Sequence, residues 1–221
     1  MSYNWDFSLL WQYQGLLLTG LYYTLWLTVV TSLIGLAGGL LVAVGRIARK
    51  PVFSIPLVAI TEFFRCTPLL VQLVWCYYAL PMLIGVELTP TMAAVLTLSL
   101  YGASFYGEII RAGLSSIERG QWDAGRALGM TSPRLMRYII MPQALKRMVP
   151  PLVSQTILQL KNTSLVSVVA VSDLLYQGQI ITAATYRPLE VYTIVAVMYF
   201  MILFPSTQLA NLLEYRLRKS D

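Results

Sequence analysis

Long stretches without a formal charge alternate along the chain with short segments dense in Lys and Arg. Gly15–Gly45, Cys66–Val86, Leu88–Gly107 and Val191–Leu213 carry no charge, and a further run, Met148–Ser172, is interrupted only by Lys161. A helix crossing a bilayer takes roughly 20 mainly apolar residues. The pattern therefore predicts an all-α membrane protein with five transmembrane helices, over about 16–45, 55–80, 89–111, 149–172 and 190–213. They form one transmembrane domain spanning 1–221, with a long polar connection over about 112–148. The second span starts upstream of Cys66 and so includes Glu62 and Arg65. No strand period is sustained, which argues against a membrane barrel. The first span lacks the basic lead and short apolar core of a signal peptide. The aromatic and acidic residues before it, Tyr3, Trp5, Asp6, Phe7, Trp11 and Tyr13, suit an interfacial strip at the membrane surface. Trp75, Tyr77 and Tyr78 read the same way at the outer end of span two, with contact to a receptor as the alternative.

Composition narrows the function classes. Charged residues make up 12% of the 221-residue chain, hydrophobic ones 57%, and there is no His. Soluble domains carry about 25% charge, so a soluble enzyme is excluded. Without His there is no imidazole metal site, Ser-His-Asp triad or His proton relay. Cys66 and Cys76, ten residues apart on one helix, would sit about 15 Å apart, too far for a disulfide. The net charge of +6 is a topology signal. Thirteen of the 16 Lys and Arg fall in the segments between spans one and two, between three and four, and in the tail, against Arg187 alone on the other side. That bias sets the N-terminus outside and the C-terminus in the cytoplasm, and nucleic acid is not needed to explain the basic balance.

Spans one and three carry small residues at helical spacing, Gly35, Gly39 and Ala43 in one row and Ala103 and Gly107 in the other. Such rows let helices pack closely in lipid, with a moving hinge as the alternative.

The connection over 112–148 is long enough to need a purpose. It reads as two short helices. The first runs from about Ile117 to Leu128, capped by Ser115 or Ser116 and ended by Gly129. The second is capped by Thr131 or Ser132, has Pro133 in its first turn, and is broken by Pro142. The stretch Ala124–Arg137 shares spacing and basicity with a helix-turn-helix, but the third helix of a DNA reader is missing. A docking element on the cytoplasmic face fits better. Ala124, Gly125 and Gly129 permit close approach, while Leu128 and Met130 would fill a partner's cleft.

Polar groups inside spans default to functional hypotheses. Pro150 and Pro151 suit the first turn of span four, which puts Lys161 about 16 Å further along, near the middle of a ~30 Å core. Asn162, Thr163 and Ser164 lie beside it, and span two offers Thr67, Pro68, Leu69 and Gln72. Pro68 leaves the carbonyl of Phe64 without its helical partner, which lipid tolerates only where the backbone is buried or lines a cavity. Together these residues predict a polar translocation cavity. Lys161 would meet a substrate carboxylate, with Thr67, Gln72, Asn162 and Ser164 as hydrogen-bonding groups. The alternative is an internal ion pair of Lys161 with a buried carboxylate. Glu62–Arg65 and Glu108–Arg111 are each spaced to touch on a helix. Both read as latches or gates rather than substrate contacts.

These residues resemble a known family. Permease subunits of ATP-driven (ABC) importers carry a cytoplasmic signature of Glu-Ala-Ala, three residues, Gly, nine residues, Ile, one residue and Leu-Pro. The chain has Asp123-Ala124-Gly125, Gly129, Ile139 and Met141-Pro142 at that spacing, with Asp for Glu, Gly for Ala and Met for Leu. Phe64–Gln72, Glu108–Gln121, Pro142–Ala144 and Lys161–Leu165 are similar to flanking motifs of the polar amino acid branch. The resemblance covers nearly the whole chain. It implies a non-enzymatic transport subunit in a bacterial cytoplasmic membrane, importing a polar or charged amino acid by alternating access. The implied partners are a second permease subunit, identical or related, two ATP-binding subunits, and an extracytoplasmic binding protein. Gln121, Trp122, Asp123, Ala124, Gly125, Ala127, Leu128, Gly129 and Met130 would form the segment gripped by the ATPase. ATP and magnesium would bind the partner and no cofactor this chain. Independently, the chain has no Gly-Lys pair and hence no P-loop. An ion-coupled secondary transporter is the remaining alternative.

Overall fold

The computed structural model describes residues 4–47 and 51–218. Tyr3 of the aromatic strip, and Arg49, Lys50 and Lys219 of the charge count, lie outside the described residues. Among those described, every regular element is helical. In chain order they are α1 (Leu9–Gln12), α2 (Gln14–Ile47), α3 (Pro51–Cys66), α4 (Leu69–Val74), α5 (Leu80–Ile84), α6 (Pro90–Ser115), α7 (Arg119–Ala127), α8 (Ser132–Leu135), α9 (Met141–Asn162), α10 (Leu174–Thr185) and α11 (Pro188–Arg218).

Three of these, α2, α6 and α11, are individually long and apolar enough to cross a membrane. Two further stretches qualify only as bent pairs. Ser54–Cys66 and Leu69–Ile84 meet at 106°, and Ser132–Val169 and Leu174–Thr185 at 43°. The straight second span expected over 55–80 is therefore broken at Thr67–Pro68. Cys66 and Cys76 fall on different sides of the break and are both free thiols, so their spacing along one helix does not apply.

Proline explains the other departures from regular helix. Its ring crowds the carbonyl four residues back and its nitrogen donates nothing. A π-turn over Trp75–Ala79 precedes Pro81, and a second over Met136–Ile140 precedes Pro142. Each contains the carbonyl that the proline would crowd, and the wider i→i+5 turn redirects it. Pro142 consequently does not break the second loop helix, which runs through the π-turn into α9. Pro150 and Pro151 lie in the interior of α9, not in its first turn, so the helix holding them begins earlier than the sequence suggested. The caps differ too. Ser115 ends α6, Ser116 caps it, and α7 starts at Arg119 behind Glu118.

Burial is organised in three clusters along the bundle. Leu9, Leu17, Leu174, Ile181 and Val191 join α1, α2, α10 and α11 at one end. Leu27, Leu69, Leu73, Leu98 and Val166 form the middle. Ala43, Ile110, Ile117, Leu135 and Met148 bind the loop helices to the other end. At the first end the fully buried Glu190 accepts from Arg187 (2.9 Å) and from the backbone N–H of Asp6 (3.3 Å), fastening the aromatic leading segment.

The most extensively packed pair is α2 with α6. The small residues read from the sequence make that crossing, and Gly102 joins them. A Cβ on Gly39 would lie 2.7 Å from the backbone nitrogen of Gly107, and one on Gly35 3.3 Å from Ala103. Neither neighbour is a side-chain end that can swing away. A Cβ on Gly15, by contrast, meets nothing within 4 Å. Gly39→Ala should thus destabilise the detergent-extracted protein by the roughly 1–3 kcal/mol of an overpacked core, seen as a lower thermal unfolding midpoint. Gly15→Ala should leave it unchanged. Equal behaviour of the two variants would contradict the close crossing.

Candidate functional site

The sequence-derived candidates fall in three regions. The first is the break between α3 and α4. Pro68, in extended conformation at the N-cap of α4, ends the helical pattern. The buried Gln72 repairs the damage. Its Nε2 donates to the freed carbonyl of Phe64 (2.9 Å), to the carbonyl of Thr67 (3.0 Å) and to Thr67 Oγ1 (2.7 Å). Thr67 Oγ1 in turn donates to the Phe63 carbonyl. The polar groups here are engaged in holding the break open. Leu69 is buried in the middle core cluster. A cavity of about 240 Å³ lies alongside, between α3, α4 and α6, with Thr67, Gln72, Phe64, Thr97 and Leu100 in its wall. Lys161, Asn162 and Ser164 are not part of that wall.

The second discontinuity is at the end of α9. After Asn162 the chain tightens into a 3₁₀ segment, Thr163–Val169, ended by Ala170 at φ 59°. Hydroxyls stabilise the tight turns, with Ser164 Oγ donating to the Lys161 carbonyl (2.8 Å) and Thr163 Oγ1 to that of Leu160 (2.7 Å). Lys161 is exposed and has no ion pair among the described residues, so the alternative of an internal structural pair is not realised. Asn162 keeps its amide nitrogen buried without a hydrogen-bond partner among those residues. The two discontinuities meet: α4 packs on the 3₁₀ segment, with Leu69 and Val166 in one core cluster.

The third region is a charge cluster. The sequence suggested two separate latches, and the structure merges them. Glu108 on α6 is bound by Arg111 of its own helix, by Arg46 of α2 at 2.7 Å, and at 3.8 Å by Arg65 of α3, which is itself paired with Glu62 at 2.8 Å. One carboxylate thus ties three helices at the end carrying the basic loop. Arg65 also lies over the Phe105 ring.

Within the loop, α7 is ended by a Schellman motif. Gly129 at φ 73° donates to the Arg126 carbonyl, and Met130 to that of Gly125. Gly125 is buried, and a Cβ there would run into the end of the Leu135 side chain. An alanine there, as in the family's signature, would require the Leu135 side chain to shift. Leu128 is 79% exposed, and Gln121, Asp123, Ala124 and Ala127 are exposed with it, while Trp122 and Met130 are half-buried against the loop core. Asp123 makes a loose, exposed pair with Arg126 at 3.7 Å.

Sequence reasoning missed three groups. Arg46 had counted only as a topology charge, although its place at the end of span one was a signal. Gln159, fully buried, donates to Thr31 Oγ1 (3.1 Å) and to the Leu98 carbonyl (2.8 Å), joining α2, α6 and α9. Asp173 is buried at the N-cap of α10, accepting from the Leu175 and Tyr176 N–H groups and from Tyr199 Oη. A lone acid ending a charge-free run was its visible signal.

Residues 35–219 match the family described as the binding-protein-dependent transport system inner membrane component. The glutamine transport system permease protein of Escherichia coli (strain K12) is 37% identical over 97% of this chain and 99% of its own length. The arginine transport system permease protein of Bacillus subtilis (strain 168) is 34% identical over 99% and 100%. A chain in a crystal structure of an amino acid ABC transporter with histidines superposes with a TM-score of 0.91 at 36% identity, over 97% of this chain and all of that one. A chain of an inward-facing methionine ABC transporter, at 23% identity over 90% and 97%, shares the fold with a TM-score of 0.68.

A double mutant tests the cluster. Glu108→Ala removes the partner of Arg46 and Arg111 and leaves Arg65 with Glu62 alone, whereas Arg46→Ala leaves Glu108 two others. Glu108→Ala should therefore cost more stability than Arg46→Ala. Combining them should give a total loss smaller than the sum, with a coupling of roughly 0.5–3 kcal/mol by thermal unfolding. Strict additivity would contradict the pair.

Proposed function

The chain belongs to the binding-protein-dependent transport system inner membrane component family, and from that premise we propose how this ABC importer membrane subunit works. It moves a polar or charged amino acid into the cytoplasm of a bacterium, across the cytoplasmic membrane. Relatives named for glutamine and arginine transport support that substrate class. The observation that carries the mechanism is the meeting of two interrupted helices in the middle of the bundle, the Thr67–Pro68 break against the Lys161–Val169 segment. Transporter sites are commonly assembled from such discontinuous helices, where backbone and side-chain polar groups face a cavity.

In this reading Lys161, free of any ion pair among the described residues, offers its ammonium to the substrate carboxylate. Asn162 and Ser164 add hydrogen bonds, and Thr67, Pro68, Leu69 and Gln72 shape the opposite wall. The five apolar stretches are five spans, with the N-terminus outside and the C-terminus in the cytoplasm. A second permease subunit, identical or related, completes the path. Two ATPase subunits, holding ATP and magnesium, grip α7 by its exposed face around Ala124 and Leu128. Their closure rocks the bundle and exposes the site alternately to either side. An extracytoplasmic binding protein delivers the substrate. No cofactor resides on this chain, and the Glu62, Arg65, Glu108 and Arg111 cluster acts as the inner latch.

Three experiments test this. Uptake into proteoliposomes containing the assembled transporter should require ATP and stop with vanadate. Uptake driven by an ion gradient without ATP would instead mark a secondary transporter. Lys161→Met should abolish uptake while the subunits still copurify, and undiminished uptake would remove Lys161 from the site. Leu128→Asp should release the ATPase on purification, since a carboxylate would be desolvated in the partner's cleft. Full retention would contradict the proposed docking face.

A further inference from the structure

The face of α7 turned away from Leu128 borders a groove. Arg119, Trp122, Asp123 and Arg126, spaced three or four apart, share one side of the helix, whereas Gln121, Ala124 and Leu128 share the other. The groove, of about 520 Å³, lies between that first face and the ends of α2 and α6. Its wall is apolar where it meets the bundle, formed by Ile47, Leu114, Ile117 and Met136. Its rim is polar, formed by Ser115 and the charged residues of α7. Two guanidinium groups against one carboxylate leave it positive. Arg119 has no ion pair among the described residues, and Arg126 is held only by the loose pair with Asp123.

Depth identifies the occupant. At 1.5 Å per residue the 34-residue α2 is about 51 Å long, well over the ~30 Å hydrocarbon core. Its last turn, ending at Ile47, therefore reaches the headgroup layer on the side carrying the basic loop. Anionic lipids enrich that leaflet, and basic pockets between helices on that side select their headgroups. Trp122, half-buried in the lining, suits the same interface. We propose that this groove is a binding site for an anionic phospholipid, its phosphate held by Arg119 and Arg126 and its acyl chains lying against Ile47, Leu114 and Met136. The lipid seats beneath α7 on the side opposite the face offered to the ATPase. The site does not depend on which substrate is carried, but it rests on the proposed orientation and on the ATPase docking by the Leu128 face.

The experiment uses the full transporter in nanodiscs of equal parts phosphatidylcholine and phosphatidylglycerol, extracted gently for native mass spectrometry. Phosphatidylglycerol should be retained over phosphatidylcholine. Arg119→Gln with Arg126→Gln should reduce its retention by about fivefold per arginine, about 25-fold together. Arg126→Lys, which keeps the charge, should retain the lipid. Arg134→Gln with Arg137→Gln removes equal charge from the same loop outside the groove and should change retention little. Copurified ATPase, measured in parallel, reports assembly separately from lipid. Equal loss in both double variants would overturn the site in favour of general surface charge. Displacement of the lipid by millimolar inorganic phosphate would overturn it in favour of a phosphate site. Retention without preference for phosphatidylglycerol would overturn it outright.

Discussion

A backbone interrupted inside a bilayer must find its hydrogen bonds within the protein, because the hydrocarbon supplies none. Everything distinctive about this chain follows from how it meets that requirement at two places. At Thr67–Pro68 the lost helical bond is replaced by one side chain, Gln72, whose amide reaches back to the Phe64 and Thr67 carbonyls. At Lys161–Ser164 the chain tightens into a 3₁₀ segment and the serine and threonine hydroxyls take up nearby carbonyls. An unbroken apolar helix at either position would be simpler to stabilise. Two breaks packed on one another give the bundle a seam of irregular backbone, and such a seam is where a polar solute can be accommodated.

Around that seam the structure is stiff where it needs to be. The glycine-lined crossing of α2 and α6 brings backbones into contact and leaves little freedom between them. Gln159 pins α9 to both helices. At the end bearing the basic loop, Glu108 gathers Arg46, Arg65 and Arg111. That carboxylate bridges the tight α2–α6 pair and the broken α3, so any motion of α3 relative to the pair must loosen the Arg65 contact. At 3.8 Å it is already the longest of the three. The charge cluster is thus a restraint whose arms differ in length.

Much of this was legible in the sequence. The absence of charge over Gly15–Gly45 and Val191–Leu213 announced long apolar helices, Pro68 announced a freed carbonyl, and Gly129 announced the end of α7. Prolines were the main source of error. Pro142 and the Pro150–Pro151 pair read as boundaries because local rules forbid them in a helix interior. The π-turn over Met136–Ile140 accommodates the first, while the second lies within a continuous α9. The joining of Arg46 to Glu108 across 62 positions was invisible, since a single sequence shows i, i+3 neighbours but not which helices will lie side by side. Gln72 reads from the sequence as a substrate ligand, and its second role at the break was equally hidden. Nothing local shows that its amide folds back on its own break.

The central claim, that the seam between the two breaks opens alternately to each side, is tested most directly by accessibility. Ser164→Cys in a Cys66→Ser, Cys76→Ser background, reconstituted as the assembled transporter, can be challenged with membrane-impermeant thiol reagents from either side. The account predicts labelling from the cytoplasmic side at rest and from the outside after ATP and vanadate trapping. Labelling from one side only, unchanged by trapping, would contradict it.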